Sequence, residues 1–161
     1  MNKKPLFAIA GIGLLALLVT VGLVVAGHRG QDGSGGGAGE LSKEALEVES
    51  AYKELQARWR QHEAEFRDKK NFPELAQLDK GFKELLLKAQ GLKGRSDKEK
   101  AALPHLAGSI EASTKVPGVY MMLAINPGLV GPKNWEEKNA HGAKANKEWA
   151  EWVEMTADLR Q

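Results

Sequence analysis

The 161-residue chain carries 23 lysine and arginine side chains against 21 aspartate and glutamate, with four histidines and no cysteine. The missing cysteines exclude disulfides, thiolate metal sites, lipid attachment through an N-terminal cysteine and C-x-x-C-H haem attachment. Lys3, Lys4, Arg29 and Asp32 fall outside residues 40–161, which leaves that region 20 basic and 20 acidic side chains. A balanced domain has no electrostatic footprint for nucleic acid.

Pro5 to Ala26 run for 22 residues without a charge. At about 1.5 Å of rise per residue that is roughly 33 Å of helix, enough to cross a hydrocarbon core of about 30 Å. The run predicts a transmembrane helix over 5–26. Lys3, Lys4 and the terminal amine precede it, and Arg29 and Asp32 after it cancel. The positive-inside rule then puts residues 1–4 in the cytoplasm and the rest outside. An exported domain without disulfides points to a bacterial cell. The expected location is the bacterial cytoplasmic membrane, crossed once, with the C-terminal domain in the periplasm or outside the cell. The run exceeds the about 7–15 residues of a signal-peptide core, which favours a permanent anchor. Val24-Val25-Ala26 is a small-residue cleavage site and supports the alternative, a cleaved signal. Gly22-x-x-x-Ala26 is a small-residue pair of the kind that lets membrane helices pack closely.

Gly27 to Gly39 holds seven glycines and little that can be buried. It predicts a flexible tether over 27–39 with a reach of about 20 Å. Residues 40–161 then form one domain, and the fold class expected is all-α, a bundle of about four helices.

Leu41, Ala45, Val48, Tyr52, Leu55, Trp59, His62 and Phe66 alternate four and three apart, an a/d seam with Ser42 as N-cap. Such a seam suits an intramolecular bundle or a coiled coil with another chain. Its Ala, Tyr, Trp and His favour the bundle, and a homo-oligomer is the alternative. Asn71-Phe72-Pro73-Glu74 opens a second helix. Leu75, Leu78, Phe82, Leu85, Ala89 and Leu92 make its stripe, and Gly91 and Gly94 end it. The short connection predicts an antiparallel hairpin. Ser96-Asp97-Lys98-Glu99 reads as a capping box opening a third helix. Pro104 is expected to kink or split that helix into 97–103 and 104–114.

Val116 to Lys133 is apolar and broken by Pro117-Gly118, Asn126-Pro127-Gly128 and Gly131-Pro132. Tyr120 to Ile125 predicts a short buried helix. The segment either plugs the core or docks, as an exposed apolar loop, on a partner or the bilayer surface. Asn134-Trp135-Glu136-Glu137 predicts the start of a last helix running to about Leu159. Trp135, Gly142, Ala145, Trp149, Trp152, Val153 and Thr156 share one side of it. Gly142 and Ala143 suggest another backbone passing close.

Chemistry is sparse. There is no G-x-S-x-G, Walker loop, G-x-G-x-x-G, H-E-x-x-H or Glu-x-x-His motif. The carboxylates sit among lysines, so the expectation is a protein without catalytic residues or cofactor. Two readings follow. The first is a protein-binding or scaffolding module that contacts an unidentified protein through Tyr120, Met121, Met122, Trp135, Trp149 and Trp152. The second is a metal or haem carrier using His62, His105 and His141, with Met121, Met122 or Met155 available as axial ligands.

Overall fold

The computed structural model describes residues 40–160. The anchor, tether and membrane location expected of the first 39 residues therefore lie outside the described residues. Among the described residues all regular structure is helical. No helix among them is long and apolar enough to cross a membrane.

Five helices follow in order: α1 Lys43–Arg67, α2 Phe72–Gln90, α3 Asp97–Thr114, α4 Pro117–Ile125 and α5 Pro132–Met155. Two 3-10 turns, Pro127–Leu129 and Ala157–Arg160, flank α5. The four long helices run alternately up and down. Arg58 near the end of α1 bonds Glu74 at the start of α2, and Leu55 lies against Gly81, so α1 and α2 are antiparallel. Lys98 pairs with Asp158 and His105 with Glu148, so α3 and α5 are antiparallel as well. The α1 seam reads correctly: Ala45, Val48, Tyr52, Leu55 and Phe66 are buried, with Trp59 and His62 half-buried. Leu75, Leu78, Phe82, Leu85 and Ala89 bury the matching stripe of α2. Each buried Val, Leu or Phe of these stripes contributes roughly 1.5–3 kcal/mol of burial.

Local signals act differently from expectation at several places. Helix α3 is continuous through Pro104. Pro104 and Lys100, whose carbonyl loses its partner, are both exposed, so water can satisfy that group. Helix α5 starts at Pro132, two residues before Asn134. Pro132 takes the first turn, and Asn134 Oδ1 accepts the Gly131 N–H at 2.9 Å. The helix ends at Met155, with the 3-10 turn continuing to Arg160. A Cβ on Gly142 would meet nothing within 4 Å, so no backbone passes there. The close approach is at Gly81 instead, where a Cβ would stand 2.9 Å from Leu55 Cδ2. Asn71 is left-handed (φ 55°) and makes no cap; its amide goes to Glu65 at 2.7 Å.

Glu99 shows how capping serves tertiary structure. Ser96 accepts the Glu99 N–H as a capping box requires. The Glu99 carboxylate, however, accepts from the Arg95 N–H at 2.6 Å, the Ser42 N–H at 2.9 Å and the Ser42 hydroxyl. One buried carboxylate thus fixes the starts of α1 and α3 side by side. Burial pushes this carboxyl up, and the Arg95 and Ser42 donors outweigh it and hold it below the usual range. At the same end the Leu41 N–H donates to the Leu159 carbonyl at 3.0 Å. The two ends of the described chain therefore meet at one pole. Higher up, Tyr52 bonds Ser109 Oγ at 2.8 Å and Ser113 Oγ at 2.7 Å, and Ser109 donates to the Ala145 carbonyl at 2.7 Å. That chain links α1, α3 and α5 across the core.

Candidate functional site

The opposite pole is built around α4. The sequence PGVYMMLAI is short and apolar, and its turn can face only one way. Pro117, Val119 and Tyr120 are buried. Tyr120 sits among Trp59, Phe66 and Trp135, with ring centroids 5.3, 6.3 and 5.4 Å away. Its hydroxyl donates to Glu63 Oε1 at 2.6 Å. Lys138 donates to the same oxygen at 2.8 Å and lies over the Tyr120 ring. Burial, then the Glu63 charge, pushes the Tyr120 hydroxyl far up, so it remains a neutral donor. Burial pushes Glu63 the other way from its final position; the Lys138 and Tyr120 donors hold its carboxyl below the usual range.

Tyr120 thus anchors α4 to α1 and α5, and the rest of the segment projects from that anchor. Met122 is 37 % exposed, Ile125 85 % and Leu129 65 %. The elbow carrying them has its own bonds: Asn126 accepts the Gly128 N–H on its side chain and the Leu129 N–H on its carbonyl. Helix α1 is about 37 Å long at 1.5 Å per residue, and the elbow stands at the end opposite residue 41. The segment is therefore both things the sequence allowed, core at its start and exposed apolar surface at its end.

Of the six residues expected at a partner surface, Tyr120 and Trp152 are fully buried and offer none. Their aromatic character serves the core. Trp152 donates its indole N–H to Glu49 Oε2 at 2.9 Å, and Arg160 closes on the same carboxylate. Met121, Trp135 and Trp149 are half-buried, Trp149 against Tyr52. Only Met122 among the six is exposed. Ile125 and Leu129 belong to the apolar segment 116–133 but not to those six; the signal for them is apolar residues on either side of Asn126-Pro127-Gly128, where no continuous helix face can bury them.

His62 and His105 hold separate partners. His62 Nδ1 is 3.1 Å from Glu65 and 3.4 Å from Asn71. His105 Nδ1 faces Glu148 and Glu151 of α5. His141 is half-buried on α5. The groove of about 210 Å³ between α1 and α2, lined by Leu55, Arg58, Gly81 and Lys88 among others, contains no histidine or methionine.

No known family model, curated protein or solved structure matches this chain.

Proposed function

We propose that the protein is a membrane-tethered, extracytoplasmic helical-bundle module without catalytic activity. Its role is to bind another protein through the elbow at Met122, Ile125 and Leu129. The observation that carries the reading is the exposure of these three apolar side chains just beyond the Tyr120 anchor. Exposed apolar residues gathered on one short segment are a feature of interaction surfaces. The span 5–26 supplies the membrane attachment in this reading, and the glycine-rich 27–39 gives the domain reach. Tethering raises the local concentration of the elbow for other membrane-associated proteins, so a modest contact suffices.

The test is site-specific photocrosslinking of the full-length chain in intact cells, with the probe at Ile125 and, as control, at Leu87, which is 72 % exposed on α2. The expected result is a defined heteromeric product from position 125 only, lost when Met122 and Leu129 are changed to Ser and Asn. Equal products from both positions, or none from 125, sink the proposal. Crosslinks only between copies would replace the protein partner by a homo-oligomer. Carbonate extraction and protease protection of the same cells test the anchor and its orientation.

A further inference from the structure

We propose that His105, Glu148 and Glu151 form a site for a divalent transition-metal cation, independent of the docking elbow. His105 Nδ1 lies 2.8 Å from Glu148 Oε2 and 2.8 Å from Glu151 Oε2. One ligand atom from each residue falls within 4.8 Å of the others. The side chains are 29 %, 23 % and 36 % exposed, shielded yet reachable from solvent.

The donor set is the first argument. A ring nitrogen has one proton or one lone pair, so a single N–H satisfies only one of two carboxylates that converge on it. A dication balances both carboxylates and takes the lone pair of a neutral imidazole. Ligands about 2.1 Å from one cation stand about 3.0 Å apart in an octahedron and about 3.4 Å apart in a tetrahedron, so the 2.8 Å separations need to open by only a few tenths of an ångström to admit the ion. An imidazole nitrogen with carboxylate oxygens suits zinc and its first-row neighbours over magnesium. Lys147 approaches Glu151 at Oε1, 3.6 Å away, and leaves Oε2 to the cluster.

The scaffold is the second argument. His105 stands on α3, and Glu148 and Glu151 stand three apart on one face of α5. The Ser109 bond to the Ala145 carbonyl fixes the two helices one turn away. Gly108 lies one turn beyond His105, and a Cβ there would stand 3.3 Å from Glu148 Cδ and 3.4 Å from its Oε2. The missing side chain leaves the cradle in which the carboxylate lies. Three ligands on one side leave further positions to water, so the site would hold an exchangeable ion that ties α3 to α5.

The probe is Zn²⁺ alone, titrated calorimetrically into chelator-stripped full-length protein in detergent. The expected result is one saturable equivalent, weakened at least about tenfold by Glu148→Gln or Glu151→Gln and unchanged by His62→Ala. Mg²⁺ at the same concentration gives no such isotherm. Absence of saturable uptake, equal uptake of Mg²⁺, or binding untouched by the two Gln variants overturns the site. Should either variant fail to fold, the wild-type melting point decides: Zn²⁺ raises it and a chelator reverses the rise, and no shift overturns the proposal.

Discussion

Glu49 is a carboxylate that the fold has taken out of water, and Arg160 is what makes that tolerable. Its side chain is 4 % exposed. Arg160 closes on it as a fork, Nη1 to Oε1 at 2.7 Å and Nη2 to Oε2 at 2.6 Å. Trp152 and Lys53 supply the other two donors. Removing one partner of a buried pair costs about 3–5 kcal/mol. Here Lys53 remains and Arg160 is 26 % exposed, so Arg160→Ala should cost about 2–3 kcal/mol. For a domain of about 120 residues that lowers the melting point by about 10 °C. Lys53 is 57 % exposed, and Lys53→Met should cost under about 1 kcal/mol. Burial alone would raise the Glu49 carboxyl; the Arg160, Lys53 and Trp152 donors bring it below its ordinary value of 4.5. A depressed carboxyl contributes stability above the unfolded value and loses it as pH falls through the folded one. The gap between wild type and Arg160→Ala should therefore be full at pH 7 and shrink steadily below about pH 4.5. Circular dichroism at 222 nm on the full-length chain in detergent, at pH 7 and pH 3, measures both. The reasoning fails if Arg160→Ala costs no more than Lys53→Met, or if its cost is the same at both pH values.

Other substitutions separate the remaining structural claims. Tyr120→Phe keeps the ring in its aromatic seat and removes the donor to Glu63, so urea titration should show a loss of about 1–2 kcal/mol, because Lys138 still satisfies the carboxylate. Pro104→Ala should stabilise by about 2 kcal/mol in the same titration: helix interiors disfavour proline by about 3 kcal/mol, less about 1 for the looser unfolded chain. Two glycines should respond with opposite signs to alanine. Gly142 has open space around it within α5, so Gly142→Ala should raise the melting point by the equivalent of about 0.5–1 kcal/mol. Gly94 has φ +65° and a would-be Cβ 3.0 Å from the Lys100 nitrogen, so Gly94→Ala should lower it by about 1–2 kcal/mol.

The elements of this bundle were legible because they rest on period and on local stops. The four-three spacing of Ala45, Val48, Tyr52 and Leu55 predicts the face that α1 buries, and Leu75 to Ala89 does the same for α2. What was not legible depends on partners distant in sequence. Glu49 follows Val48 and reads as a solvated charge; it is buried because Arg160, 111 residues away, covers it. Glu99 reads as half of a local capping box; Ser42, 57 residues back, claims its carboxylate. His105 was a candidate ligand by type, yet Glu148 and Glu151 became its partners only through the register of α3 on α5.

Aromatic residues misled in the same physical way. Tyr120 and Trp152 carry large apolar surfaces, which suggested a contact face. Each also has a polar tip that a carboxylate can accept from, the half-buried Glu63 and the buried Glu49 respectively. With the tip satisfied, full burial is the lower-energy arrangement, and the core takes them. Ile125 and Leu129 have no such alternative. Asn126, Pro127 and Gly128 end α4 before Ile125 can share a buried helix face, and the turn directs Leu129 outward. Ile125 is 85 % and Leu129 65 % exposed, so the core gains little from either. Their apolar character is therefore unexplained by folding, and it is the part of this surface that a binding partner would explain.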